Sequence, residues 1–451
     1  MLKEVRDLRK YNFDRKINRN NTNSIKYDFP EDYGYTKEHI PLWVADMDFP
    51  VAEEIKSVIS SINSMGIYGY TGMSNYYYEV LAKWMRKEHN YKIEREWCFV
   101  LPGVMFAIST AIRAFSEEGD AIMVQTPVYS PFYKVIENNN RVIVGNSLVY
   151  ENGEYFVDYV DFENKIKENN VKIFLLSNPH NPVGKVFTKN ELIRMAHICC
   201  KYKVLVVSDE IHQDFIYEPH THTVLANLNE KFENNCVICT SPSKTFNIAG
   251  LKVSNTFIAN PKLRKLYDDT LKACYNGGVN TLGMAACVAA YSSSGTWLKQ
   301  VKTYIKKNLD YVTSFIEKNT PKIKVVKPQG TYLMWLDCHD MGLSPQEIDD
   351  FFKDDAKLWF NIGQRFGKDG EYFQRINLAT GKYRLEEAME RMKKAYDHLY
   401  KEELEEKDVE NEVDEIDEVE EDDELLEAKE IEEIEKEFIE CLYASEEEDE
   451  E

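Results

Sequence analysis

Along residues 51–291 the chain alternates between two hydrophobic periods. Apolar positions recur every three or four residues in 51–62 and 74–89, the spacing of a helix packed on one face. Between and after such segments lie short apolar runs: AIMV at 121–124, VKIFLL at 171–176, VLVV at 204–207 and CVIC at 236–239. Each closes on Ser, Pro, Asp or Thr, and runs that are apolar throughout fit strands buried on both faces. Strands alternating with helices predict a mostly parallel α/β sheet with helices on both sides. Such a sheet gathers ligands at the carboxyl ends of its strands.

After residue 292 the pattern changes. A long polar helical stretch at 297–319 precedes strand-like segments at 322–326 and 332–336, and a helical stretch at 385–400 follows. The expected organisation is a large domain over 51–291 and a smaller α+β domain over 292–400, joined by the N-terminal segment 1–50. An acidic low-complexity tail occupies 401–451. In that tail Val409, Val413, Ile416 and Val419, then Ile431, Ile434, Phe438 and Leu442, recur every three or four residues. Disorder, an acidic amphipathic helix and an arm for an unknown partner all fit it.

Composition narrows the classes. With 451 residues, 43% of them hydrophobic, the chain can bury the cores of two domains or more. No apolar run is long enough to span a membrane, and Met1 to Asp7 lack the apolar stretch of a signal peptide, so the expected location is the cytoplasm. The nine cysteines are scattered, and the single CxxC of Cys236 and Cys239 supplies two of the four ligands of a structural zinc. Core thiols and no metal are expected. The net charge of −23 belongs to the tail: 401–451 hold 29 acidic side chains and 4 lysines, leaving 49 acidic and 51 basic residues before them. No basic, aromatic-interleaved stripe suited to nucleic acid is present, nor any Walker A loop, GxGxxG or HExxH.

The candidate chemistry sits at predicted strand ends. In SPSKTFNIAGL (241–251), Lys244 stands among Ser and Thr hydroxyls where an amine can form a Schiff base with an aldehyde cofactor and later serve as a base. A lysine in a loop is by itself most often a surface lysine. Upstream, SDEIH puts Asp209 directly after an apolar run, where it either caps the next helix or faces a ligand. SNPHNPVG (177–184) sets a rigid turn whose Asn181 can point at a ligand, though turn formation alone also explains it. PGVMFA (102–107) reads as a strand-to-helix turn in which Gly103 lets the Val104 and Met105 N–H groups approach a phosphate. TPVY places Tyr129, a packing residue or a stacking platform, at another strand end.

Taken in order, PGVMFA, TPVY, NPHNPVG, SDEIH, SPSKTFN-x-x-GL and RINLA (375–379) resemble the fold-type I, class I/II aminotransferases over about residues 11–400. The resemblance implies pyridoxal 5′-phosphate bound to Lys244, with Asp209 on its pyridine nitrogen, Asn181 on O3′ and Tyr129 stacked on the ring. Gly103, Val104, Met105, Ser241 and Ser243 would surround the phosphate. Arg375 would grip the substrate α-carboxylate, for which a planar guanidinium is suited. Tyr70, in YGYTG, matches a tyrosine that reaches the phosphate across a dimer interface, so a homodimer with shared active sites is implied.

Three features resemble the cystathionine β-lyase branch of MalY/PatB type: LWVADMDF at 42–49, which offers Trp43 and Ala45 to the substrate; His180 in the Asn-Pro turn; and His212, expected beside the cofactor, where aminotransferases often have tyrosine. A fourth is a departure, Lys252, standing where many aminotransferases keep a phosphate-binding arginine. The activity implied is carbon–sulfur β-elimination on a sulfur amino acid, cystathionine or a cysteine conjugate, yielding a thiol, pyruvate and ammonia. The alternatives are an amino-acid aminotransferase and a regulator acting through the tail.

Overall fold

The computed structural model describes residues 10–274, 278–401 and 436. The chain divides into a compact unit Met1–Met392, which holds the candidate site, and a second unit Lys393–Glu451. The apolar positions predicted to repeat between 409 and 442 fall outside the described residues.

A short strand β1 (Ile40–Pro41) comes first. Strands β2 (Cys98–Leu101), β3 (Ala121–Thr126), β4 (Val142–Glu151), β5 (Glu154–Val157), β6 (Ile173–Ser177), β7 (Leu205–Asp209), β8 (Cys236–Thr240) and β9 (Ser254–Phe257) then form an eight-stranded sheet in the order β2-β9-β8-β7-β6-β3-β4-β5. The pairs β4/β5, β8/β9 and β2/β9 are antiparallel and the others parallel. The expected buried strands are β3, β6, β7 and β8, and every residue of β6, β7 and β8 is buried. Strand β9 lacks the apolar run that would predict it, because Ser254, Asn255 and Thr256 are buried polar residues.

Under this sheet the helix Val104–Phe115 buries Ala107, Ile108, Ala111 and Ile112 against Leu175, Val207 and Val237. Burying each of the two isoleucines contributes about 1.5–3 kcal/mol, so the helix is fixed against the sheet and its first turn is held at the strand ends. Cys236 and Cys239 are both buried in β8, and an offset of three along a strand turns them to opposite faces.

A second, antiparallel sheet is built from β10 (Lys324–Val325), β11 (Leu333–Asp337), β13 (Asn361–Ile362) and β14 (Phe373–Asn377), while β12 (Leu358–Trp359) pairs with β1. The long helix Gly295–Asn319 packs against the N-terminal segment, where Phe13 meets the rings of Phe49, Trp297 and Tyr304.

Between the two sheets the irregular, bent stretch 42–49 is fastened from several sides. Asn377 donates from Nδ2 to the Val44 and Asp46 carbonyls, 2.6 Å each, and Asn247 brackets Met47 through its N–H and carbonyl, both at 2.9 Å. Arg19 reaches Asp46 at 2.6 Å and Asp48 at 2.8 Å, and the fully buried Lys26 reaches Asp48 at 2.9 Å. Burial alone would raise the Asp48 carboxyl, but Lys26 and Arg19 outweigh it and hold Asp48 at about 2. That stabilisation is present above the ordinary carboxylate range and is lost as pH falls towards 2. Lys26→Met strips one of the two cations from a buried carboxylate and should cost about 3 kcal/mol, read as a lower Tm at pH 7. An unchanged Tm would contradict the load placed on this ion cluster.

Candidate active site

The parallel strands end flush. Ser177 of β6 pairs in register with Asp209 of β7, and Asp209 with Cys239 of β8. The ladder runs past the apolar residues because the Glu210 N–H bonds the Cys239 carbonyl (2.8 Å) and the Asn178 N–H bonds the Asp209 carbonyl (2.9 Å). Beyond β8, Ser241 caps the turn Pro242–Thr245 by accepting the Ser243 N–H at 3.0 Å, and proline at its first position presets the helical φ. This turn delivers Lys244 to a cavity of about 220 Å³ over the strand ends.

Ala45, Tyr129, Asn181, Asp209, His212 and Lys244 line that cavity, and so do Gly103, Val104, Met105 and Ser243. Gly103 has φ +123°, a conformation open to glycine, and the helix Val104–Phe115 starts directly after it. The first-turn N–H groups of Val104, Met105 and Phe106 have no partner within the helix, so with the helix dipole they form an anion site. Lys252, also in the lining, keeps a cation there as a point charge instead of a bidentate fork.

Burial sets the electrostatics. Asp209 accepts one hydrogen bond, from the Ile211 N–H at 3.1 Å, has no ion pair among the described residues, and is pushed by burial up to about 7. A carboxyl in that state favours an adjacent cation such as a protonated ring nitrogen. Lys244 donates to the Ala45 carbonyl at 2.7 Å; burial lowers its amine to about 8, with Asp46 opposing. His212 is 4% exposed, its Nδ1 has no partner, and burial holds the ring at about 3, hence neutral. Arg375 is buried without a carboxylate partner among the described residues: it donates to Asn181 Oδ1 (2.8 Å) and the Trp43 carbonyl (2.9 Å) and stacks 4.9 Å from the Phe366 ring. Burial lowers it to about 10, still a cation at neutral pH and suited to an incoming carboxylate. A planar aldehyde carrying a basic ring nitrogen and a phosphate fits this donor set.

Five residues singled out from the sequence, Ser241, Trp43, Arg375, Tyr70 and His180, lie outside the lining. The Ser241 hydroxyl is turned to the Val253 carbonyl (2.7 Å) and lies 2.8 Å from Ser243 Oγ, so it supports Ser243 instead of lining the cavity. The Trp43 indole stacks on Trp359 with ring centroids 4.7 Å apart, and its backbone carbonyl does the work on Arg375. Arg375 is joined to the lining through Asn181. Tyr70 is fully exposed and outside the lining. His180 is buried with Nε2 on the Gln125 carbonyl at 3.1 Å, also outside the lining. Sequence reasoning missed Phe366 and Tyr332, which lack a motif; Tyr332 donates its hydroxyl to the Ala45 carbonyl at 3.0 Å.

Residues 40–392 match the family Aminotransferase class I and II. The chain belongs to this family. Cystathionine beta-lyase PatB of Bacillus subtilis is 38% identical over 384 residues, spanning 85% of this chain and 99% of the relative. The crystal structure of cystalysin from Treponema denticola, which contains a pyridoxal 5′-phosphate cofactor, superposes with a TM-score of 0.84 at 36% identity, covering 87% of this chain and all of that one. The PLP-bound C-S lyase from Staphylococcus hominis gives a TM-score of 0.80 at 29% identity, covering 86% and 99%. The fold-type I architecture shared across the family is therefore the fold of this chain.

With the cofactor removed, Lys244 should be modified by an amine-directed reagent with a midpoint near pH 8, about two units below ordinary lysines. Peptide mapping across a pH series reads this directly. A midpoint in the ordinary lysine range would contradict the burial described.

Proposed function

We propose that the protein is a pyridoxal-phosphate-dependent carbon–sulfur β-lyase that cleaves L-cystathionine or related cysteine conjugates to a thiol, pyruvate and ammonia. The reading is carried by the convergence of Lys244, Asp209 and the Asn181–Arg375 pair on one cavity. It is supported by the sulfur chemistry of relatives that align over nearly their whole length. When bound, the cofactor supplies an aldehyde for the substrate amine and a ring that accepts the Cα–H electrons, so that a Cβ thiolate can leave.

The chain's own residues do the rest. Lys244 holds the cofactor and then, as a free amine at Nζ, takes the Cα proton. Asp209 would keep a proton on the ring nitrogen, Asn181 would donate to the ring's phenolic oxygen, and Tyr129 would pack against the ring. The first-turn N–H groups after Gly103, with Ser243 and Lys252, take the phosphate, and Ser241 steadies Ser243. Arg375 grips the α-carboxylate with Asn181 and the Trp43 carbonyl aligning it. Neutral His212 lies beside the cofactor as an uncharged hydrogen-bonding ring.

The same reading makes the protein a homodimer. Met65, Ile67, Tyr68 and Tyr70 form an exposed apolar stretch, and Tyr70, 107% exposed, is free to enter a second copy's phosphate site. Residues 51–291 act as the cofactor domain, and 292–400 with the N-terminal 50 residues as the small domain. No described helix is long and apolar enough to cross a membrane. An aminotransferase is the second reading, favoured by the family match itself.

Incubation with L-cystathionine and no keto acid separates the two. The lyase releases homocysteine, pyruvate and ammonia in equal amounts over many turnovers. Strict dependence on an added keto acid, with no thiol formed, would establish the aminotransferase instead.

A further inference from the structure

A buried hydroxyl and a half-buried amine converge on one backbone oxygen. The Ala45 carbonyl accepts from Lys244 Nζ at 2.7 Å and from the Tyr332 hydroxyl at 3.0 Å. Tyr332 is 1% exposed and follows Thr331, a buried β-branched residue at φ +67°, a conformation such residues avoid. Thr331 is held there by its N–H on the Phe215 carbonyl (2.7 Å) and by its hydroxyl, which accepts the Leu333 N–H at 3.1 Å. Just before it, a Cβ on Gly330 would lie 3.0 Å from the Phe215 carbonyl oxygen, so the approach that aims Tyr332 requires glycine. The receiving carbonyl is equally fixed, because Asn377 grips its neighbours Val44 and Asp46.

We propose that Tyr332 is a positioning residue that keeps the Ala45 carbonyl in place as a dock for the free amine of Lys244. The proposal rests on the reading that Lys244 alternates between a free amine and a cofactor-bound state. A carbonyl oxygen has two lone pairs and accommodates both donors at once. When Lys244 is engaged elsewhere, a half-buried carbonyl without a second donor is poorly satisfied, which disfavours that state. The Tyr332 hydroxyl removes this penalty, so the lysine leaves and returns to a carbonyl that has not moved. Besides Tyr332, the charged and titratable groups facing the amine are Asp46 on the fastened stretch, Asp209 on β7, Arg375 on β14, and Lys252. His212 shares the cavity and is neutral.

The test compares Tyr332→Phe with wild type in cofactor affinity, in the pH midpoint for modifying Lys244 in the cofactor-free protein, and in Tm. In the variant, engaging Lys244 strands the Ala45 carbonyl, so pyridoxal phosphate should bind about tenfold more weakly. The midpoint should move upward, because the carbonyl then serves the ammonium alone. If the variant does not fold, Thr331→Gly, which keeps the hydroxyl and frees the backbone that aims it, should shift both readouts in the same directions. Wild-type affinity and midpoint in a folded variant would overturn the proposal, whatever the Tm. A wild-type protein that fails to capture pyridoxal phosphate at Lys244 would overturn the cofactor reading first.

Discussion

The bent stretch 42–49 is the constraint on which the site's geometry depends, because it acts through its carbonyls and not its side chains. The Trp43 carbonyl orients Arg375, and the Ala45 carbonyl receives Lys244. These two groups come from different sheets, Lys244 from the turn after β8 and Arg375 from β14, so one short length of backbone sets their separation. The side chains of the stretch serve to hold that backbone still. Asp46 and Asp48 are tied to Arg19 and Lys26, and Trp43 and Met47 are buried. The N-terminal segment thereby belongs to the active site, and Ala45 brings it to the cavity wall.

A second consequence follows from desolvation. The same burial acts on four groups, and the charge each carries decides the outcome. Asp209 is raised and Lys244 lowered until both lie near neutrality, whereas His212 is driven neutral and Arg375 keeps its charge. An amine near 8 is in part free to accept a proton at physiological pH, which suits a base. Asp209 needs a cationic ring to become a firm anion, and Arg375 needs a carboxylate. Cofactor and substrate each bring the counter-charge that the cavity lacks.

Much of this was legible in the sequence for identifiable reasons. Strands β6, β7 and β8 are buried on both faces, so they appear as unbroken apolar runs, and Asn181, Asp209 and Lys244 follow those runs within a few residues. Strand β9 was hidden because its buried residues are polar, their needs met by tertiary bonds such as Tyr77 to Asn255 at 2.7 Å. Trp43 announced itself as a large aromatic, yet its contribution is a carbonyl, and no sequence pattern reports where a carbonyl points. Tyr332 lay inside an apolar run as one more core aromatic. Its hydroxyl gains meaning from Ala45, 287 residues away along the chain. Tyr70 is fully exposed on the single chain and lies outside the cavity lining.

The central claim is that Lys244, in this cavity, is the residue that holds the cofactor. Borohydride reduction of the protein loaded with pyridoxal phosphate, followed by peptide mapping, tests it without reference to any substrate. The account predicts one pyridoxyl group per chain, on Lys244, and none in Lys244→Ala. A reduced cofactor on any other lysine, or stoichiometric labelling that persists in Lys244→Ala, would contradict it.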